Sequence, residues 1–342
     1  MNKMTFVNHR GLAAIAVATL GLNLIASAAL AADYTMKIGF TTINDPYNDI
    51  ALRFEEEIEA RSAGKIDVQL YPAGQLGTAA RQIEGLQIGT QEMLISPPGF
   101  FAGIHPAMQV LDAPGMFQSM DHAEAVLADP ELGQAFYTLL EPAGIQVLTL
   151  WPYGPSAIAT VKEVTGLESL QGAKIRVLAS PLEQELASAI GMTGVSMDFT
   201  EALPALQTGT IDGVRTALSV MGGMSFYSTA KYALKEETGM ILGGAYASKL
   251  WLDSLPEELR NMVVETVQSM QGEAAQFGKD GYAASDQEWR DAGVTLVELL
   301  PEERAKLFET VSPIGAKLLA KDEQTVPMWE VFTGALARNP AQ

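Results

Sequence analysis

The 342-residue chain contains no cysteine. Disulfides, thiol nucleophiles, thiolate metal sites and a lipid-modified cysteine are therefore excluded. Histidine is scarce too: His9, His105 and His122 are the whole supply, and no two stand at zinc-ligand spacing. Basic residues are outnumbered, 22 Lys and Arg against 41 Asp and Glu, for a formal charge of −19. So acidic a chain is a poor partner for nucleic acid or an anionic membrane surface. The G-x-S-x-G elbow, the P-loop and the G-x-G-x-x-G fingerprint are missing, which weakens the case for an enzyme. A carboxylate pair for glycoside chemistry stays open, so a secreted hydrolase is the competing class. The acidic run "FEEEIEA" reads instead as the solvated face of a helix.

Only one long apolar run is present, and it lies at the start. Lys3 and Arg10 sit in a polar opening, residues 11 to 31 carry no charge, and Ala29-Leu30-Ala31 supplies a small-x-small cleavage pattern. An uncleaved anchor is the alternative, since the run is nearly long enough to span a bilayer. No stop-transfer cluster follows, however, and Asp33 opens a polar domain. Residues 1–32 are thus expected to be a cleaved signal peptide, exporting a soluble protein to the periplasm. One arginine rather than a pair points to the general secretory route.

The rest alternates between two periodicities. "YTMKIGF" places Met36, Ile38 and Phe40 on one side of a strand, and "KIDVQLYP" does the same with Ile66, Val68 and Leu70. "GIQVLTLW", "KIRVLA" and "GVTLVEL" predict further strands. Ile50, Phe54 and Ile58 recur at helical spacing, as do Leu182, Leu186 and Ile190. A third set, Leu255, Leu259, Val263 and Val267, predicts a helix running past Gly272 toward Trp289. Ser180-x-x-Glu183, with Pro181 in the first turn, and Ser254-x-x-Glu257 read as capping boxes. Strands alternating with helices imply α/β lobes with largely parallel sheets. "LQIGTQEM" (86–93) and "LQTGTIDG" (206–213) share a helix end, a glycine stop and a strand entry, which suggests two lobes of similar build.

Within "KIRV", Arg176 stands between Ile175 and Val177, where the sheet would accept another aliphatic residue. A guanidinium on a strand end offers a planar fork for a carboxylate, and strand ends facing a crevice are where open α/β sheets bind ligands. An internal Asp or Glu is the other partner open to it.

Several segments in order resemble the periplasmic solute-binding receptors of tripartite ATP-independent periplasmic (TRAP) transporters. They are "IALRFEEEIEARSAGKIDVQLYPAGQLGTAARQIEGLQIGTQEM", "VLDAPGMF", "GLESLQGAKIRVLASPLEQELASAIGMTGVSMDFTEALPALQTGTIDG" and "LPEELRNMV". The resemblance implies an α/β, two-lobed periplasmic-binding-protein fold with crossing strands and a long helix spanning both lobes. It implies lobe 1 from 33–155 plus 243–285, lobe 2 from 156–242 plus 286–342, and Arg176 as the ion-pair partner of a solute carboxylate. It also implies small and large membrane subunits as partners, no cofactor and no metal, and we expect a monomer. A receptor of an ABC importer is a nearer alternative than the hydrolase.

The chain departs from the family pattern at two places. After Asp212-Gly213, where relatives often carry glutamate, asparagine and proline, it reads Val214-Arg215-Thr216-Ala217. Thr216 then takes the place of a solute-binding asparagine, and Arg215 is either a second cleft cation or a surface residue. In "LWPYGPSAIATV", Pro155 and Ser156 stand where many relatives carry another arginine. Trp151, Tyr153, Met197 and Phe199 would suit a partly hydrophobic acid, or serve as core. Asn44 and Tyr47 in "TTINDPYND", and Ser96 at the end of a strand, complete the candidate solute contacts. Asn44-Asp45-Pro46 equally suits a plain turn and helix start.

Overall fold

The computed structural model describes residues 32–341. The expected signal peptide, all but its last residue, lies outside the described residues. Among the described residues ten strands are formed: β1 (Tyr34–Gly39), β2 (Ile66–Tyr71), β3 (Met93–Ser96), β4 (Ile145–Thr160), β5 (Lys174–Val177), β6 (Thr193–Ser196), β7 (Gly213–Ala217), β8 (Tyr232–Lys235), β9 (Met240–Ser248) and β10 (Thr295–Glu298). Each strand expected from alternation is among them. Met36 and Ile38 of β1, and Ile66 and Val68 of β2, turn inward as their spacing requires.

The strand order β2-β1-β3-β9-β4-β7-β5-β6 reads nearly the same from either end. β1 runs parallel to β2 and β3; β5 runs parallel to β6 and β7. Helices Pro46–Arg61 and Ala79–Ile88 connect the first trio, and Pro181–Ala189 and Phe199–Gln207 the second. The echo between 86–93 and 206–213 marks the matching place in each trio. There a helix ends, Gly89 (φ 73°) or Gly209 (φ 72°) turns the chain left-handed, and β3 or β7 begins.

β4 and β9 join the two trios through antiparallel pairing. β4 is 16 residues long. It pairs with β9 from Ile145 to Pro155, and then with β7 from Ser156 to Thr160. Its register slips between Val147 and Thr149 and between Pro152 and Gly154. Such irregularities bend a strand and re-aim its side chains.

The helix Gln271–Asp291 lies along β4 and also touches helices Pro46–Arg61 and Leu218–Gly223. At 21 residues it is about 30 Å long. Gly278 permits the approach, since a β-carbon there would sit 2.5 Å from the Pro152 carbonyl oxygen. The single helix expected from Leu255 to Trp289 is instead two, Glu257–Ser269 and Gln271–Asp291, parted at Met270. Nor does Ser254 cap the first of them. Pro256 occupies the cap position, Leu255 is held extended before it, and the Ser254 hydroxyl donates backward to the Trp251 carbonyl at 2.6 Å.

The C-terminal helix Val326–Arg338 packs on the helix Pro130–Tyr137 and the turn Pro106–Asp112, whereas Pro313–Leu319 packs on Pro181–Ala189. The tail therefore touches segments from both trios' sides of the chain. Arg338 clasps Asp129 in a fork, Nε to Oδ2 and Nη2 to Oδ1, both at 2.8 Å. Among the described residues no helix is long and apolar enough to cross a membrane.

Candidate functional site

Parallel pairing puts Arg176 beside Val195 of β6 and Val214 of β7. Side chains alternate across a strand, so Arg176 leaves on the face opposite Ile175 and Val177. Its side chain is 1% exposed. The Nε donates to the Met197 carbonyl at 3.2 Å, the guanidinium lies 5.2 Å from the centre of the Phe199 ring, and Nη2 has no hydrogen-bond partner. Burial pulls the guanidinium down to about 10, against the partial support of Asp198 and Glu183. Neither acid pairs with it. Asp198 accepts from the Ala79 N–H at 2.8 Å and from the backbone and hydroxyl of Thr200, while Glu183 is bound elsewhere.

Arg176 faces a small cavity lined by Thr41, Thr42 and Tyr47 after β1, by Pro97 and Phe100 after β3, and by Leu178, Phe199, Thr216 and Val220 around the ends of β5, β6 and β7; Ile241 of β9 closes it. These are the carboxyl ends of strands from both trios, where an open α/β sheet presents its ligand crevice. The free volume is about 20 Å³, room for about one water. Anything larger must part the walls. A wider groove of about 370 Å³ runs past Asp121, Pro155, Glu237, Lys279 and Arg304. Its cations are already taken, Lys279 by Asp121 and Glu124 and Arg304 by Glu237, so size alone does not make it the better site.

Four of the residues proposed from sequence meet at the Arg176 cavity: Arg176, Thr216, Tyr47 and Phe199. Thr216 follows Val214 by two, which returns it to the Arg176 face of the sheet. The Tyr47 hydroxyl already donates to the Leu242 carbonyl at 2.8 Å, so the tyrosine offers mainly its ring edge.

The same alternation sends Arg215 to the opposite face, and both readings of it, cleft or outer surface, give way to a third. It is fully buried and held by two acids. Nε donates to Glu236 at 2.8 Å, Nη1 to Glu183 at 2.7 and 2.8 Å, and Nη2 to the Ser156 hydroxyl at 2.9 Å. Burial depresses this guanidinium, yet Glu183 and Glu236 more than offset that and hold it above the ordinary range. Glu183 is thus no capping-box partner, although Ser180 does cap the helix by accepting from the Glu183 N–H. Ser156, at one of the two departures from the expected pattern, spends its hydroxyl oxygen on Arg215.

Trp151 and Tyr153 belong to the core around β4 and do not line the cavity. The Trp151 ring fills the space a Gly243 side chain would need. Tyr153 lies where β4 slips register, and its hydroxyl donates to Asp45 at 2.7 Å. Asn44 is exposed, in a left-handed turn at φ 54°. The buried oxygen of that loop is its neighbour's: Asp45 caps the helix Pro46–Arg61, and burial raises its pKa to about 6 against the pull of the Tyr153 hydroxyl. Ser96 is buried at the end of β3 opposite Gly244, outside the cavity lining. His122 is buried and accepts from the Gln118 N–H through Nδ1. Among the described residues no cluster of three His, Asp or Glu could hold a metal ion.

A two-trio sheet bridged by long strands, with a lone cation at the strand ends, is the architecture of a two-lobed periplasmic binding protein. Residues 40–322 match the family model "Bacterial extracellular solute-binding protein, family 7" (DctP), and the chain belongs to that family, one of solute receptors rather than enzymes. The C4-dicarboxylate-binding periplasmic protein DctP of Rhodobacter capsulatus is 28% identical over 90% of this chain and 93% of its own. The 2,3-diketo-L-gulonate-binding periplasmic protein YiaO of Escherichia coli is 27% identical over 89% and 95%. In fold the chain is similar to a TRAP periplasmic solute binding protein from Desulfovibrio salexigens, solved with orotic acid bound, at a TM-score of 0.83, with 24% identity and coverage of 89% and 99%.

Proposed function

We propose that this protein is the extracytoplasmic receptor of a TRAP transporter, capturing a small organic acid through a guanidinium–carboxylate pair at Arg176. One observation carries the reading: a fully buried arginine with an unpartnered Nη2 and no paired acid among the described residues, facing a cavity. Burying a cation without a counter-ion is costly, and chains avoid it unless the counter-ion arrives from outside. The two curated relatives described above are both named for acids, which supports the same chemistry.

In this reading the walls of the cavity belong to two lobes, 33–155 with 243–285 and 156–242 with 286–342. They part by bending of β4 and β9 and close over the bound acid. A signal peptide delivers the chain to the periplasm. There the closed, monomeric receptor meets the small and large membrane subunits of an ion-driven importer. The change of pairing partner in β4 between Pro155 and Ser156 supports a boundary at that point.

The test is a thermal-shift screen of the secreted chain against organic and sugar acids. A ligand at ~100 times its dissociation constant adds about 2.7 kcal/mol of stability. Arg176→Gln should abolish that gain while keeping the far-ultraviolet circular dichroism of the parent. An undiminished shift in the variant would refute the assignment.

A further inference from the structure

We infer that the acid taken by this cavity carries a single negative charge on an apolar body, rather than a second carboxylate or a row of hydroxyls. The inference rests on the reading of Arg176 as the carboxylate partner and adds the rest of the molecule to it. Arg176 is the one cation among the lining residues. The other arginine of this sheet region, Arg215, faces away and already carries Glu183 and Glu236. A second ligand carboxylate would therefore enter a water-poor space with no cation to meet it, an outcome the cost of burying unpaired charge forbids.

The polar groups that would read a sugar acid are also few. Tyr47 spends its hydroxyl hydrogen on Leu242, which leaves the hydroxyls of Thr41, Thr42 and Thr216 for a polyol that needs partners at every carbon. The remaining wall is Pro97, Phe100, Leu178, Phe199, Val220 and Ile241. Phe199 lies against the guanidinium and stacks on Phe226, with ring centres 5.3 Å apart, so it is held rigidly. A carboxylate seated on Arg176 brings its α- and β-carbons against that ring. Apolar carbons gain there by leaving water; hydroxylated carbons lose hydrogen bonds.

The secreted chain, freed of bound solute by unfolding and refolding, is titrated calorimetrically with four sodium salts: 4-methylpentanoate, phenylacetate, succinate and galacturonate. The expected result is that at least one of the first two binds ten-fold or more tighter than either of the last two, with the heat lost in Arg176→Gln. Succinate or galacturonate binding as tightly or tighter, with the heat still dependent on Arg176, overturns this inference and leaves the receptor reading standing. No binding of any of the four salts at millimolar concentration also overturns this inference alone, whereas equal binding by Arg176→Gln overturns both.

Discussion

Arg176 and Arg215 lie on adjacent parallel strands, one register step apart, and leave the sheet on opposite faces. Arg215 meets two glutamates there, whereas Arg176 meets a backbone carbonyl and an aromatic ring. Two residues of one chemistry thus have opposite surroundings, set by the two-residue period of the strand. Their variants should separate accordingly.

For Arg176 the prediction is a gain in stability with a loss of function. Burial lowers its pKa to about 10, a cost on the order of 3 kcal/mol for the charged form. Arg176→Met removes the charge and keeps most of the volume, so the solute-free protein should be as stable as the parent or more so, by up to about 3 kcal/mol. Acid-induced thermal shifts should vanish. Urea unfolding of the solute-free variant checks this, and a loss of more than about 1 kcal/mol would mean the side chain is structural.

For Arg215 the sign reverses. Arg215→Met leaves Glu183 and Glu236 buried without their cation, at a cost of about 3–5 kcal/mol. Adding Glu183→Gln and Glu236→Gln to that variant should recover much of the loss. The urea midpoints of the single and triple variants measure it. A stable single variant that merely fails to bind acid would return Arg215 to the solute site.

Asp45 should make stability depend on pH. Its carboxyl is raised from 3.8 to about 6, with desolvation as the largest cause. The folded state therefore holds the proton more tightly than the unfolded one. The resulting stability is fully present below about pH 3.8 and is lost as pH rises through 6, in total about 3 kcal/mol. Asp45→Asn, which still caps the helix, has no such loss. Its melting temperature relative to the parent should climb between pH 4 and 7, and a gap that stays flat across that range would contradict the assignment.

Gly278→Ala should destabilise the protein despite its helical position. Alanine normally gains about 1 kcal/mol over glycine inside a helix. Here the new carbon would stand 2.5 Å from the Pro152 oxygen and 3.0 Å from that of Tyr153. Displacing β4 from the long helix should cost a net 1–3 kcal/mol or so. Gly272→Ala, on the same helix with open space around it, is the control and should be neutral or stabilising. Similar midpoints for both variants would sink the packing argument.

Alternation and helical spacing made the strands and most helices legible, because one face of each buries its side chains in the core. The pairing of Arg215 with Glu183 was not legible, since 32 residues separate them and Glu183 also fits a capping box. The sequence offers Asn44 as a polar contact from its loop, although the buried oxygen there belongs to Asp45; only the tertiary contact with Tyr153 reveals that. Most of the cavity wall went unnamed as well. Pro97 and Leu178 immediately follow β3 and β5, and Thr41 and Thr42 lie within three residues of the end of β1, so reading the residues just beyond each strand end finds them.

The hydrogen bond from the Ala79 amide to Asp198 joins the opening turn of a helix in the first trio to the cap of a helix in the second. It lies beside the cavity and depends on no solute. If the proposed lobes swing apart, that turn loses its acceptor, and each departure of a solute then has to break a contact the solute never made. On the proposed receptor reading, residence time is set partly by this clasp and not by the solute's own contacts alone.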